Sequence, residues 1–290
     1  MELAAARTLG DAARAAAAKF RAAGLDTPDL DARLLAAHAA GIDQRSDPLW
    51  RERGLDETAR AKLEEFARRR LAREPVSRIT GKRGFWTLEL AVAPDVLDPR
   101  PDTETLVEAA LGSIPDRASK LRILDLGTGS GAILLALLSE LPGSEGIGLD
   151  ISDAALAAAE ANAAALGLAA RARFLKGDFA SLAAEVLGQS ALVVSNPPYI
   201  PAADISGLEP EARDFDPALA LDGGADGLFA FRAIFAAAPP VLARNGLILV
   251  EFGAGQAASV EAIAGNAGFG SIRIYRDLAG RERVLSARLL

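Results

Sequence analysis

Four consecutive residues, Asn196-Pro197-Pro198-Tyr199, combine groups that could bind an amide or amino nitrogen. The apolar residues 191–194 before them are typical of a buried strand, so the four residues lie where a strand leaves a sheet. The prolines have no backbone N–H, and Pro197 restricts Asn196 to extended geometry. The Asn196 side-chain oxygen and the Pro197 carbonyl could therefore accept both hydrogens of one –NH2 group, with the Tyr199 ring against its plane.

A glycine-rich segment over residues 125–131 lies between a predicted strand and a predicted helix. Its glycines let the backbone approach a ligand closely, and the helix N-terminus favours an anionic group. Asp150 ends the next strand, where it could accept from ribose hydroxyls, and Asp178-Phe179 could bind and stack on adenine. The pattern predicts an adenosine-containing cofactor, and its candidate ligands are Asp125, Gly127, Thr128, Gly129, Ser130, Gly131, Asp150, Asp178, Phe179 and Asn196.

The identity of that cofactor depends on residues around the glycines. Gly127, Gly129 and Ala132 also fit the dinucleotide fingerprint, so the glycine loop alone leaves NAD and S-adenosylmethionine nearly even. Asp125 suits an ammonium group and would repel a pyrophosphate. The Asn-Pro-Pro-Tyr segment has no obvious role in hydride transfer. We therefore expect S-adenosylmethionine, with S-adenosylhomocysteine as its product.

Composition narrows the remaining possibilities. The 290-residue chain has no cysteine and one histidine, His38, so disulfides, thiolate metal sites and Ser-His-Asp chemistry are disfavoured and no metal site is predicted. The formal charge of −7 argues against a broadly basic nucleic-acid binder. The N-terminus lacks the apolar core of a signal peptide, and no apolar run reaches transmembrane length. We expect a soluble cytoplasmic protein.

The order of predicted elements gives three parts. Residues 1–75 are predicted as a small helical domain, residues 76–98 as a β-hairpin linker, and residues 99–290 as the cofactor-binding domain. In the last part strands and helices alternate, which predicts an α/β fold with a mostly parallel sheet and an antiparallel C-terminal strand. The predicted strands are 122–126, 146–150, 173–175, 191–195, 246–252, 272–275 and 282–287, and the predicted helices are 3–23, 28–41, 56–73, 103–111, 132–141, 153–166, 180–187, 229–242 and 256–267.

Basic residues crowd the end of the third predicted helix, at Arg68, Arg69, Arg70 and Arg73. Cations at a helix C-terminus interact favourably with the helix dipole, and charge runs are usually solvated. A basic patch for a partner is the alternative. We favour the structural interpretation.

These motifs together resemble a known family. The segments Leu124–Gly131 and Asn196–Tyr199 resemble amino-methyltransferases of the Rossmann-like class I fold, with a seven-stranded sheet. The longer pattern is similar to the PrmC/HemK protein-(glutamine-N5) methyltransferases. It rests on residues 79–81 with Phe85-Trp86, and on residues 99–104, 195–200, 218–219, 223–228 and 277–281. The chain departs from that pattern at Asp98 and Asp216, which affects loop geometry more than reaction type.

The resemblance implies a reaction and a partner, and it implies that the helical residues 1–75 recognise the substrate. A methyl group passes from S-adenosylmethionine to the side-chain amide of the glutamine in a Gly-Gly-Gln loop of class I peptide-chain release factors, the proteins of translation termination. The catalytic residues implied are Asn196, Pro197 and Tyr199, and Pro198 joins them in binding substrate. Residues 200–217 are expected to form a mobile rim, and no general base is evident.

Three other functions share parts of this pattern. Enzymes that methylate exocyclic amines of DNA or RNA bases carry the same Asn-Pro-Pro-Tyr sequence, but usually need a basic surface. A binding module that offers Pro198-x-x-Pro201 to another protein requires exposed prolines on a flexible segment, and a buried strand before them argues against it. An NAD-dependent oxidoreductase is the third alternative.

Overall fold

The computed structural model describes residues 3–43, 46–182 and 184–290. They form two compact units, Met1–Gly81 and Lys82–Leu290, and each has its own hydrophobic core. Within these residues, no helix is both long and apolar enough to cross a membrane.

The first unit is helical. Its first predicted helix was expected from residue 3, but this expectation is wrong, because Leu3–Ala5 form a separate 3-10 turn. The α-helix begins after Thr8, whose hydroxyl accepts from the Asp11 N–H while the Asp11 carboxylate accepts from the Thr8 N–H. This reciprocal capping fixes the start of the helix. The helices are α1 Leu9–Ala22, α2 Pro28–Ala39, α3 Glu57–Leu71 and α4 Val76–Thr80.

Two of the arginines at the end of α3 form ion pairs inside this unit. Arg70 is 6% exposed and donates to Asp31 at 2.7 Å, an ion pair buried on both sides. Arg69 pairs with Glu74 at 2.5 Å. The structural interpretation of the cluster is therefore favoured, although Arg70 belongs to the core rather than to a solvated face.

The second unit is built on one sheet, and its topology confirms the predicted α/β fold. In the described chain the sheet has seven strands in the order β5-β4-β3-β6-β7-β9-β8. Strand β9 is antiparallel to both β7 and β8, and the pairs from β5 to β7 are parallel. The strands are β3 Arg122–Leu126, β4 Glu145–Asp150, β5 Ala172–Lys176, β6 Ser190–Ser195, β7 Leu242–Glu251, β8 Phe269–Arg276 and β9 Glu282–Leu289.

Helices cover both faces of this sheet. One core cluster packs α5 and α6 on the sheet, and the other packs α11 and α12 on its opposite face. The predicted helix over 180–187 is shorter than expected, and Ala183 within it lies outside the described residues. The helices are α5 Glu104–Gly112, α6 Ala132–Glu140, α7 Asp153–Ala165, α8 Ala184–Leu187, α9 Pro210–Arg213, α10 Ala218–Leu221, α11 Phe229–Ala237 and α12 Ala257–Asn266.

The β-hairpin consists of β1 Lys82–Phe85 and β2 Leu88–Ala91. It packs within the second unit, where the Trp86 indole N–H donates to Glu140 at 2.8 Å. Residues 76–80, which we expected in the same linker segment, form α4 of the first unit instead.

Candidate active site

The glycine-rich loop leaves β3 and turns directly into α6. The backbone N–H groups of Gly127 and Thr128 both donate to the Leu149 carbonyl, at 2.8 and 3.0 Å, so the loop is fixed to the end of β4. Gly127 and Gly129 have positive φ angles of 71° and 56°, and a Cβ atom at either position would meet nothing within 4 Å. The loop therefore presents bare backbone to open space, as close approach of a ligand requires.

Asp125 lies beneath this loop and is fully buried. Its Oδ2 accepts from the Thr128 hydroxyl at 2.7 Å, and its Oδ1 has no hydrogen-bond partner in the described part of the chain. Burial raises the pKa of Asp125 to about 7, and the neighbouring charge of Asp150 adds to the rise while the Thr128 hydroxyl opposes it. A buried carboxyl with an unsatisfied oxygen is suited to a cationic or donating ligand group.

The other predicted cofactor residues follow the next two strands. Asp150 ends β4, where its carboxylate accepts from the N–H groups of Gly129 and Ser152, both at 2.9 Å. Asp178 is exposed just beyond β5 and accepts from the Ala180 N–H, and Phe179 beside it is half-buried. Because β3, β4 and β5 are adjacent and parallel, the structure brings these residues to one edge of the sheet.

Asn162 on α7 binds the glycine-rich loop, a contact that the sequence does not indicate. Its side-chain N–H donates to the Ser130 carbonyl at 3.0 Å and to the Ala91 carbonyl at 3.3 Å, and its oxygen accepts from the Ala91 N–H at 2.8 Å. Asn162 is 2% exposed. It therefore links the β-hairpin to the glycine-rich loop.

The Asn-Pro-Pro-Tyr segment follows β6, the neighbour of β3 on its other side. Buried Ser195 holds the two strand ends together, since its hydroxyl donates to the Leu126 carbonyl at 2.7 Å. Asn196 Nδ2 donates to the Thr103 hydroxyl at 3.0 Å. This bond turns the amide so that Oδ1 faces away from Thr103 and remains available as an acceptor. Thr103, 93 residues earlier in the chain, was not among the predicted site residues.

The segment lines a cavity of about 310 Å³. Buried Glu251, the last residue of β7, faces the same cavity, and its Oε1 accepts from the Tyr199 hydroxyl at 3.3 Å. Pro197 is buried and Pro198 is half-buried, which disfavours the prolines as a ligand for another protein. The cavity-lining residues are Leu97, Arg100, Pro101, Asp102, Asn196, Pro197, Tyr199, Ile200, Ala212, Ala220, Leu221 and Glu251.

The backbone of Tyr199 is surrounded by Gly223, Gly227 and Gln256. The sequence indicates the two glycines only as part of a motif, and it does not indicate a role for Gln256. Gln256 Nε2 donates to the Tyr199 carbonyl at 2.9 Å, and Gln256 Oε1 accepts from the Gly253 N–H at 2.8 Å. A Cβ atom at Gly223 would come within 2.8 Å of the Tyr199 Cα, and one at Gly227 within 2.4 Å of its carbonyl oxygen. The glycine motif over 223–227 therefore leaves room for the Tyr199 backbone.

The two residues that depart from the family pattern are neighbours in space. The Asp98 N–H donates to Asp216 Oδ1 at 3.4 Å, and the Arg100 guanidinium pairs with Asp216 Oδ2. Asp98 and Asp216 are both buried. This contact joins the end of the segment that follows Tyr199 to the segment before α5.

Comparison with known proteins identifies the two domains of the chain. Residues 11–81 match the PrmC N-terminal domain, and residues 117–254 match a methyltransferase domain. The catalytic domain of hMettl16, solved in complex with MAT2A 3′UTR hairpin 6, is similar in fold with a TM-score of 0.56 at 15% identity, covering 71% of this chain and 77% of that chain. The fold and the matched domain define a methyltransferase of the Rossmann-like class.

Similar curated proteins identify the family to which the chain belongs within this class of methyltransferases. The release factor glutamine methyltransferase of Rhodospirillum rubrum is 51% identical over 270 residues, which cover 93% of this chain and 82% of the relative. That of Caulobacter vibrioides is 44% identical over 283 residues, covering 96% and 95%. The chain belongs to the release factor glutamine methyltransferase family.

Proposed function

We propose that this protein methylates the side-chain amide nitrogen of the glutamine in the Gly-Gly-Gln loop of class I peptide-chain release factors, with S-adenosylmethionine as the methyl donor. The observation that carries the proposal is the orientation of Asn196. Its Nδ2 is bound to Thr103, so Oδ1 is the atom available to an incoming –NH2 group. The similarity to release factor methyltransferases supports the choice of substrate.

The glycine-rich loop and the acids around it fit the donor. S-adenosylmethionine carries a sulfonium and an ammonium group, and it supplies an electrophilic methyl group when bound. Asp125 is suited to a cationic group because its buried Oδ1 lacks a hydrogen-bond partner in the described chain. Asp150 would hold the ribose hydroxyls, and Asp178 and Phe179 the adenine. Gly127, Gly129 and Gly131, with Thr128 and Ser130, would hold the remainder, and the open space beside Gly127 and Gly129 allows its close approach.

The Asn-Pro-Pro-Tyr segment would overcome the weak nucleophilicity of an amide nitrogen. The lone pair of that nitrogen is delocalised into its carbonyl. Asn196 Oδ1 and the Pro197 carbonyl would accept its two N–H groups, which orients the nitrogen and stabilises the positive charge that develops on it. Tyr199 and Pro198 would pack against the amide plane. The new N–C bond would form as the methyl–sulfur bond breaks, with S-adenosylhomocysteine as the leaving group and one N–H proton lost to water. Positioning would supply most of the acceleration.

We propose the helical residues 1–75 as the part that recognises the protein substrate. They fall within a compact unit with its own core, and residues 11–81 match the PrmC N-terminal domain. The acidic net charge of −7 disfavours the alternative, methylation of base amines in DNA or RNA.

Mass spectrometry of a class I release factor after incubation with this protein and S-adenosylmethionine tests the proposal. We expect one added methyl group on the Gly-Gly-Gln peptide and none on a release factor whose motif glutamine is replaced by asparagine. Separate reactions with tRNA and with duplex DNA measure whether tritiated methyl groups are transferred to nucleic acid. Transfer to either nucleic acid without transfer to the release factor would overturn the proposal.

A further inference from the structure

Glu251 is a buried carboxyl at the active-site cavity to which the proposed chemistry assigns no role. It is 1% exposed, it ends β7, and it lines the cavity beside Asn196 and Tyr199. Burying a carboxyl is costly, so its presence calls for a compensating function.

The groups around Glu251 come from several elements. The Tyr199 hydroxyl donates to Oε1 at 3.3 Å, whereas Oε2 has no hydrogen-bond partner in the described chain. Burial raises the pKa of Glu251 to about 7. The nearby hydroxyls of Thr103 and Tyr199 and the charge of Arg283 on β9 oppose this rise, and the charge of Asp102 adds to it.

Thr103 connects this carboxyl to Asn196. A threonine hydroxyl has a single hydrogen to donate and two lone pairs that accept. The Thr103 oxygen accepts from Asn196 Nδ2, so its own hydrogen must point to another acceptor. Thr103 is bound to Asn196, which lines the same cavity as Glu251, and Glu251 Oε2 has no hydrogen-bond partner in the described chain, so this carboxyl is the acceptor we assign to the Thr103 hydrogen. The Thr103 hydroxyl also lowers the pKa of Glu251, which agrees with this assignment.

The ionisation state of Glu251 then decides the direction of the chain of hydrogen bonds. A carboxylate can only accept, so it fixes the Thr103 hydrogen toward itself and leaves the Thr103 oxygen to accept from Asn196. A protonated carboxyl can donate to Thr103 instead. The Thr103 hydrogen is then free to turn to Asn196, which favours the opposite amide orientation, with –NH2 rather than Oδ1 toward the cavity.

We propose that Glu251 is a positioning residue that, as a carboxylate, acts through Thr103 to hold the Asn196 amide in the orientation that binds a substrate –NH2 group. The inference rests on the proposed function of the same site. Glu251 touches neither substrate nor cofactor in this scheme. When Glu251 is protonated, the Asn196 amide presents its –NH2 group to the cavity instead of Oδ1. The substrate nitrogen then loses its acceptor and meets a donor.

The pH dependence of kcat provides the first test. At saturating S-adenosylmethionine, which keeps Asp125 ionised, kcat of the unmodified protein falls about tenfold for each pH unit below about 7. The Glu251→Gln variant loses this dependence, and its kcat at pH 8 is about 10- to 100-fold lower, as expected for loss of one charge-assisted hydrogen bond. Its affinity for S-adenosylmethionine stays unchanged, which also shows that it folds. A Glu251→Gln variant with the kcat and pH profile of the parent overturns the inference.

Two substitutions at Thr103 provide a matched pair. Thr103→Ser keeps the hydroxyl and retains most of kcat, whereas Thr103→Val keeps the shape and loses about as much as Glu251→Gln. The double variant Thr103→Val/Glu251→Gln is no slower than either single variant, because both remove the same connection. Additive losses would overturn the connection through Thr103.

A spectroscopic measurement separates this inference from the proposed function. The chain has four asparagines, Asn162, Asn196, Asn245 and Asn266, so selective 15N-asparagine labelling gives few side-chain amide signals. The Asn196 signal, identified by its loss in Asn196→Ala, shifts with a midpoint near pH 7 in the parent and not in Glu251→Gln. Methylation of another substrate would overturn the function and leave this titration intact. An Asn196 signal that does not titrate would overturn the inference even if release factor is methylated.

Discussion

Arg100 and Asp216, 116 residues apart in the chain, form an ion pair at the active-site cavity. The Asp216 side chain is 1% exposed and that of Arg100 is 37% exposed, so the pair is shielded from water mainly on the Asp216 side. The Asp98 N–H donates to the same carboxylate. Residues 200–217, predicted as a mobile rim, are therefore attached at their far end to the segment that leads into α5.

Asp216→Ala tests this attachment. We expect amide hydrogen exchange over residues 201–217 to become about 5- to 150-fold faster, since losing a hydrogen bond to a charged group costs roughly 1–3 kcal/mol. The KM for release factor rises, while the affinity for S-adenosylmethionine is unchanged, because Asp98 and Arg100, to which Asp216 is bound, lie outside the predicted cofactor residues. Asp214→Ala is the matched control, because Asp214 forms an exposed pair with its neighbour Arg213. Equal exchange in both variants would contradict the attachment.

Asn196→Ala tests the binding of the substrate amide. We expect kcat to fall by about 10²- to 10³-fold, the range for removing one preorganised group that stabilises developing charge. Calorimetry should show that S-adenosylmethionine still binds, since the predicted cofactor contacts lie mainly on β3, β4 and β5. Asn266→Ala, at the exposed end of α12, is the control and should turn over normally. Normal turnover by Asn196→Ala would exclude the amide-binding role.

The raised pKa of Asp125 predicts a pH-dependent stability. Its folded-state pKa of about 7 lies above the unfolded value of 3.8, so the folded protein holds this proton more tightly. The stability that this proton confers is fully present below pH 3.8 and is lost as pH rises through about 7. Asp125→Asn should therefore raise the Tm of the donor-free protein at pH 8 more than at pH 5, as measured by scanning fluorimetry.

Binding of the donor should reverse this preference for the protonated form. If a cationic group pairs with Asp125, binding at pH 6 releases close to one proton, and titrations in two buffers of different ionisation enthalpy measure it. Asp125→Asn should abolish the release and weaken binding. A Tm difference that is the same at both pH values would argue against the raised pKa itself.

Gly227→Ala tests the support of Tyr199. Gly227 has a φ of +72°, and a Cβ atom there would lie 2.4 Å from the Tyr199 carbonyl oxygen and 2.7 Å from Gln256 Nε2. The left-handed backbone alone costs about 1–2 kcal/mol. Displacing Tyr199 by an ångström should cost about 10²-fold in kcat. Gly207→Ala is the control, since Gly207 has open space around it and an ordinary φ. Equal activity of the two variants would show that this close contact is dispensable.

The sequence was sufficient to predict the sheet and the residues at its edge. Apolar runs of strand length alternating with helical patterns identified all strands of the seven-stranded sheet. Parallel neighbours place their carboxyl ends together, so Asp125, Asp150 and Asn196 were expected at one edge before any distance was known.

The supporting residues could not be predicted because their local sequence has an ordinary explanation. Thr103 follows a proline at a helix start, which is common helix-opening chemistry, and nothing nearby indicates a bond to Asn196. Glu251 ends a strand, Gln256 lies a few residues after it, and Asn162 lies in an alanine-rich helix. Their roles depend on tertiary contacts that span 32 to 71 residues for Asn162 and 52 residues for Glu251.

The contact of Asn162 with both Ala91 and Ser130 bears on how this enzyme can be dissected or recombined. A fragment beginning at residue 99 would retain every residue predicted to touch the donor, yet it would lack the hairpin strand to which Asn162 is bound. Asn162 would then lose its two hydrogen bonds to Ala91 and keep the one to the Ser130 carbonyl of the cofactor loop. The smallest catalytic fragment that can be transferred to another protein therefore begins at Lys82 and includes the hairpin.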